Sequence, residues 1–266
     1  MSNIADRTNL RKYGEPPFTV AVVHGGPGAP GQMAPVAREL SSDYGILEPL
    51  QTATSLEGQV QELYEVVEAN AKLPVVLIGS SWGAMLSFIV AARHPECVRK
   101  LILVGSALFD DQYAPLIMQT RLSRLSEDDR REALAIVQEL KDASSESKDQ
   151  LLARFGDLLT IADHCDPLTL DTEVIEVQQD INQSVWADAE VLRASGQLLE
   201  LGRRIKCPVV AIHGDYDPHP VEGIREPLAG VLKEFRFVLL EECGHLPWIE
   251  RRAKRRFYDI LREELS

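Results

Sequence analysis

The chain has 266 residues, 45% of them hydrophobic and 26% charged, and a formal net charge of −13. A chain of that length buries about three quarters of its unfolded surface, which excludes global disorder and fits one large domain with an inserted lobe. Its longest apolar runs, such as residues 73–78 and 101–104, fall far short of the roughly 18 residues a membrane span needs, and the negative charge opposes a nucleic-acid partner.

The N-terminus reads Met-Ser-Asn-Ile-Ala-Asp-Arg, without an apolar signal segment, so a soluble, cytoplasmic protein is the expectation. Short β-rich runs then recur at 18–23, 44–50, 75–78, 101–104, 209–212 and 235–240, most followed by a glycine-containing turn and a helical pattern. Such alternation predicts parallel strands with crossover helices. Several runs are apolar on both faces, as strands covered on both sides must be. The fold class is therefore α/β.

Between about 110 and 205 the strand-like runs stop. Ser126 with Asp129 predicts a capped helix whose apolar residues Ala133, Ile136, Val137 and Leu140 follow at helical spacing. Leu151, Leu152, Phe155, Leu158 and Leu159 form a second stripe and residues 185–201 a third, with Pro167 and a polar cluster at 141–147 between them. This predicts a core of residues 1–109 and 206–266 with a helical insertion at 110–205. The basic run at 251–256 lies close to Glu250, Glu263 and Glu264 and reads as a solvated helix face.

The strongest local motif is Gly79-Ser80-Ser81-Trp82-Gly83, between a predicted strand and a predicted helix. A sharp strand-to-helix turn needs small residues beside its serine and leaves the hydroxyl exposed above the helix N-terminus, where it can act as a nucleophile. Such a serine requires a general base. Among the six histidines, His245 follows the last strand in Cys243-Gly244-His245, while His94 and His164 read as structural or solvated. The acid is expected in the preceding strand's loop, His213-Gly214-Asp215-Tyr216-Asp217-Pro218-His219. Asp217 lies farther into the turn and is preferred; Asp215 is expected to cap it, and His219 to be a loop or pocket-rim residue, too close in sequence to serve as a separately positioned partner of Asp217.

Acyl transfer also needs donors aimed at the oxyanion. His24-Gly25-Gly26-Pro27-Gly28 follows the first apolar strand; Pro27 has no N–H, which points to Gly26, with Trp82 as the second donor. Two patterns compete with this reading. Residues 26–31 fit G-x-G-x-x-G with Glu48 about 20 residues on, as in a nucleotide-dependent oxidoreductase, but two prolines remove amides from that loop. His213, Asp215, Asp217 and His219 alternate like strand ligands for a metal, but Gly214 and Pro218 interrupt the strand. The four cysteines show no C-x-x-C spacing. No cofactor and no metal are expected.

Taken together, HGGPG at 24–28, GSSWG at 79–83, RHPECVRKLILVGS at 93–106, HGDYDP at 213–218 and CGHLPW at 243–248 resemble the α/β-hydrolase superfamily. The resemblance implies a Ser81, Asp217, His245 triad, an oxyanion hole from the Gly26 and Trp82 backbones, and a cap formed by 110–205. HGGPG with S-W-G is most similar to the proline iminopeptidase branch, which removes N-terminal proline from peptides. Two features depart from that branch: Gly105-Ser106-Ala107-Leu108-Phe109 stands where it carries an arginine-glycine segment, and its amine-binding carboxylates have only Glu173, Glu176 and Glu190 as candidates. With 17 residues before the first clear strand, the first two strands of the fuller fold are expected to be missing or vestigial. The expected activity is cleavage of a small ester, amide or short peptide; a non-catalytic receptor on the same fold is the alternative of another class.

Overall fold

The structure, a computed structural model, describes residues 9–140, 145–169 and 179–266. In chain order it contains β1 (Leu10–Tyr13), β2 (Phe18–Val23), α1 (Ala34–Leu40), β3 (Gly45–Pro49), α2 (Leu56–Asn70), β4 (Val75–Ser80), α3 (Trp82–Arg93) and β5 (Val98–Val104). Helices α4 (Ala114–Arg124), α5 (Glu127–Glu139), α6 (Ser145–Asp163), α7 (Gln179–Ala194) and α8 (Gln197–Glu200) follow. The chain then returns to the sheet with β6 (Val209–Gly214), α9 (Val221–Val231), β7 (Phe235–Leu240) and α10 (Lys254–Leu265). The strands form one sheet in the order β1-β3-β2-β4-β5-β6-β7, parallel throughout except for β1 against β3.

The two-residue period of the strands divides the core in two. Ala21, Leu47, Leu77, Leu103 and Ala211 face one side, against α2, α3, α7, α8 and α9, while Val20, Val22, Ile78, Ile102 and Ile212 face α1 and α10 on the other. Every described residue of β4 is buried, which explains why its sequence is continuously apolar rather than alternating. The N-terminal side of the sheet is short. Of the two strands expected to be absent or vestigial, a four-residue antiparallel edge strand, β1, is present. Its polar residues hid it: Tyr13 donates its hydroxyl to fully buried Glu48 at 2.7 Å, and Arg11 lies 3.7 Å from the same carboxylate. Glu48, the acid of the competing nucleotide pattern, is thus engaged with the sheet edge.

The inserted region is helical, and it divides by its packing. Leu125, Ala133, Ile136, Leu158 and Ala162 of α4–α6 and their connections form a small core of their own, whereas Ile181, Val185 and Ala189 of α7 join the main core. Ser126 caps α5 by accepting the Asp129 N–H at 3.1 Å, as its spacing predicted. Val137 on that helix is exposed. The polar cluster at 141–147 lies largely outside the described residues, as do Glu173, Glu176 and the side chain of Leu152. In the basic run near the C-terminus, Arg251, Arg252 and Arg256 pair with Asp166, Glu242 and Glu263 while Ala253 is buried. No helix among the described residues is long and apolar enough to cross a membrane.

The β4–α3 turn tolerates no side chain at its flanks: a Cβ on Gly79 would lie 2.2 Å from the Gly83 carbonyl oxygen, and one on Gly83 2.2 Å from that of Val23. Gly79→Ala is therefore expected to lower the unfolding free energy by about 3 kcal/mol, read from urea denaturation; a change below about 0.5 kcal/mol would show that the turn is not sterically closed.

Candidate active site

Because the strands from β2 to β7 run parallel, their C-terminal ends lie along one edge, where the loops of such sheets converge. Ser81 sits there, at φ 52° and ψ −117°, between β4 and α3. A non-glycine residue with positive φ costs of order 1–3 kcal/mol and persists only where its surroundings over-determine it. Here the Ser81 N–H donates to the Val104 carbonyl at 3.0 Å, and the Ser81 carbonyl accepts from Ala84 at 3.1 Å and from Ala107 at 3.4 Å. The neighbouring strand and the first turn of α3 hold the serine in this conformation.

The loop after β2 lies against it, since a Cβ on Gly25 would come within 3.1 Å of the Ser81 Cβ. His24, fully buried, fixes the loop. Its Nδ1–H donates to the Gly25 carbonyl at 2.8 Å, and its Nε2 accepts the Gln51 N–H at 3.3 Å. Burial pushes its pKa down to about 4, so it serves as a neutral two-ended link. From α7, Trp186 Nε1 donates to the Gly26 carbonyl at 3.0 Å and Asn182 Nδ2 to the Pro27 carbonyl at 2.9 Å. Gly26 itself has φ 112°, which strains any residue with a Cβ. Trp82 opens α3, so its backbone N–H belongs to the first turn, which has no intrahelical acceptor. Its buried ring donates Nε1–H to Gln59 at 2.8 Å and meets Trp186 edge-on at 5.5 Å.

On the other side, Asp217 and His245 come together from the loops after β6 and β7. His245 Nδ1 lies 2.8 Å from Asp217 Oδ2, and the Asp217 side chain is fully buried. Burial alone would raise the Asp217 carboxyl, but three imidazoles, His245 foremost, hold it well below the usual carboxylate range. Burial disfavours the charged form of His245, yet the charge and hydrogen bond of Asp217 outweigh it and the net shift is upward. Asp215 points elsewhere, accepting the Cys243 N–H at 3.1 Å.

His219 departs from the sequence expectation. It is no mere rim residue: its Nδ1 lies 2.7 Å from Asp217 Oδ1, its backbone N–H donates to the same oxygen at 2.9 Å, and its ring stacks on His245 at 4.9 Å. The two-residue separation is what lets backbone and ring reach one carboxylate oxygen together. His213 donates Nε2–H to the His219 carbonyl at 2.9 Å and places Nδ1 3.9 Å from Asp217.

Among the described residues, Asp217, His219 and His245 are the group whose ligand atoms, all within 4.8 Å of one another, come close enough to hold a metal ion. They fit a metal poorly, because both imidazoles already spend Nδ1 on hydrogen bonds to the carboxylate. Asp215, a member of the alternating set at 213–219, is not in that group.

A cavity of about 590 Å³ brings together Gly26, Ser81, His219 and His245, with Trp186 and Arg121 among the cap-side residues. Glu190 also lines it, and so do Ala107 and Leu108 of the segment that departs from the iminopeptidase pattern. Glu127, Asp128 and Asp129, the acidic first turn of α5, do not line it. The charged groups that do line it include Arg121, bidentate with Asp163 at 2.7 Å, and Arg193, 2.8 Å from Asp111.

Glu250 organises the histidine loop and had no local sequence signal. Fully buried, it accepts the N–H groups of Gly244, Cys165 and Asp166 at 2.8–3.0 Å and lies 3.2 Å from His164 Nδ1. His245 N–H donates to the Asp163 carbonyl at 2.9 Å. His164, read from sequence as structural or solvated, is buried and structural.

The chain matches the family model for the alpha/beta hydrolase fold over residues 48–251 and belongs to that family. It is 31% identical over 115 residues to 2-hydroxymuconate semialdehyde hydrolase of Pseudomonas sp. (strain CF600), covering 38% of this chain and 40% of that protein. Monoacylglycerol lipase abhd6-B of Xenopus laevis is 25% identical over 203 residues, 75% of this chain and 58% of the lipase. The chain thus spans about half the length of the curated relatives it matches. The crystal structure of proline iminopeptidase from Mycobacterium smegmatis aligns with a TM-score of 0.63 and 17% identity, covering 96% of this chain and 93% of that one, a likeness that shows the fold.

Glu250→Gln replaces an acceptor-only group by one whose amide faces backbone donors. It is expected to lower stability by about 2–4 kcal/mol, read as a shifted urea midpoint; an unchanged midpoint would mean that the loop is held without it.

Proposed function

We propose that the protein is a cofactor-independent serine hydrolase that cleaves a carboxylic ester or amide of a small molecule through an acyl-enzyme. The observation that carries this reading is one cavity holding both Ser81, on its strained strand-to-helix turn, and His245, whose other ring nitrogen is 2.8 Å from a buried carboxylate. Ser81 Oγ attacks the carbonyl carbon as its proton passes to His245 Nε2. The bond to the leaving group then breaks, and the leaving atom takes that proton. Water repeats the sequence on the acyl-enzyme, regenerating Ser81 and releasing the acid. Asp217 keeps the Nδ1–H of His245 in place and stabilises the imidazolium, while the backbone N–H groups of Gly26 and Trp82 receive the oxyanion.

Residues 110–205 act as the cap: α4 and α7 supply Ile117, Arg121, Asn182 and Trp186 to the cavity. The proline iminopeptidase-like reading retains one specific support, the exposed carboxylate of Glu190 in the same cavity, suited to a substrate amine. Against it stand Ala107 and Leu108, which make that wall apolar.

A fluorophosphonate probe should label the folded protein at Ser81 and leave Ser81→Ala unlabelled; absence of labelling in the native protein would overturn the hydrolase reading. In the same preparation, turnover of p-nitrophenyl esters without turnover of proline amides separates an esterase from an aminopeptidase.

The pH dependence follows from the shift of His245. The base must be neutral, and its pKa lies above the ordinary 6.5, so kcat/KM should fall as pH drops through a value above 6.5. An acid limb at or below 6.5 would contradict the coupling to Asp217.

A further inference from the structure

We propose that His219 is a specificity residue that accepts a hydrogen bond from a hydroxyl on the leaving group, so that the substrates are hydroxyl-bearing esters such as those of diols. The inference rests on the hydrolase reading above and deepens it.

Four observations meet at this ring. Its Nδ1 lies 2.7 Å from Asp217 Oδ1, its backbone N–H reaches the same oxygen, and its carbonyl accepts from His213, so the residue is fixed at three points. Asp217 is ionised and can only accept, which makes His219 Nδ1 the donor and leaves Nε2 with a free lone pair. Burial holds the ring's pKa below the ordinary value, so it stays neutral. His219 lines the cavity with Ser81 and His245, and with Nδ1 spent on Asp217, the edge left for the cavity carries Nε2.

The mechanism uses one imidazole, and a second acceptor stacked 4.9 Å from it has no part in moving the Ser81 proton. Its position decides what it meets. His245 returns its proton to the leaving atom, so the leaving group lies beside His245 and the stacked ring flanks that group rather than the oxyanion. A hydroxyl a few bonds beyond the scissile oxygen reaches His219 Nε2, whereas a methyl there leaves a desolvated acceptor unpaired. Sites of this kind discriminate strongly because the unpaired group is costly.

The test compares two esters of equal length and acyl group, 2-hydroxyethyl butyrate and propyl butyrate, by pH-stat titration, on the full chain and on His219→Asn. Asparagine can keep a donor to Asp217 Oδ1 but carries nothing at the position of Nε2. The native protein should prefer the hydroxyethyl ester by about tenfold in kcat/KM, with little difference in kcat where a shared butyryl-enzyme limits turnover. His219→Asn should abolish the preference, read as the ratio of kcat/KM for the two esters, whatever its effect on the rate common to both. Equal rates for the two esters in the native protein, or turnover of neither despite fluorophosphonate labelling, overturn the proposal. A parallel fall for both esters in His219→Asn also overturns it and assigns His219 to holding Asp217 alone. Should His219→Asn fail to fold, His219→Gln, whose amide oxygen can stand where Nε2 stood, must retain the preference. Absence of labelling defeats the hydrolase reading itself, a result distinct from all of these.

Discussion

A carboxylate with no exposed surface is among the costliest groups a fold can contain, and Asp217 persists because partners surround it. One oxygen meets His245; the other takes the backbone and ring N–H groups of His219. These contacts bind the loop after β6 to the loop after β7, and much of the cavity's shape follows. They also set the electrostatics. The same charge raises the pKa of His245 and holds both stacked rings with Nδ1 toward the carboxylate.

The inserted helices are coupled to this centre at both ends. From α4, Arg121 grips Asp163, and Arg124 donates to the Ala162 and Tyr216 carbonyls at 2.9 and 2.7 Å, its guanidinium lying 3.7 Å above the Tyr216 ring. Asp163 in turn receives the His245 N–H, and Glu250 draws the segment after α6 against the histidine loop. At the far side α7 holds the Gly26 loop through Trp186 and Asn182. Helices α4–α6 thus have their own small core and reach the acid and base, whereas α7 packs on the main core and reaches the serine side. The two parts of the insertion thus contact different halves of the site.

Much of this could be read from residues close together in the chain. The inner strands β2, β4, β5 and β6 were legible because helices on both faces demand apolar runs such as those at 75–78 and 101–104; β1 was not, because an edge strand bound through Tyr13, Arg11 and Glu48 carries no such run. The turn around Ser81 was legible because steric closure by Gly83 acts within a few residues. The short sequence distance between Asp217 and His219 said nothing of their contact, which arises because the turn folds the ring back on the carboxylate. Glu250 gave no signal, because its donors come from residues 6, 84 and 85 positions away.

The sequence by itself determined the α/β class, the strained serine turn, the helical nature of the insertion and the identities of the candidate acid and base, all properties carried by local sterics and periodicity. Only the tertiary structure decided that Asp217 serves two imidazoles, that α7 belongs to the main core, and that the acidic N-terminus of α5 stays out of the cavity lining. The physical reason is that a buried charge is satisfied by whichever donors the packed loops bring within about 3 Å, and no spacing along the chain encodes which loops those are.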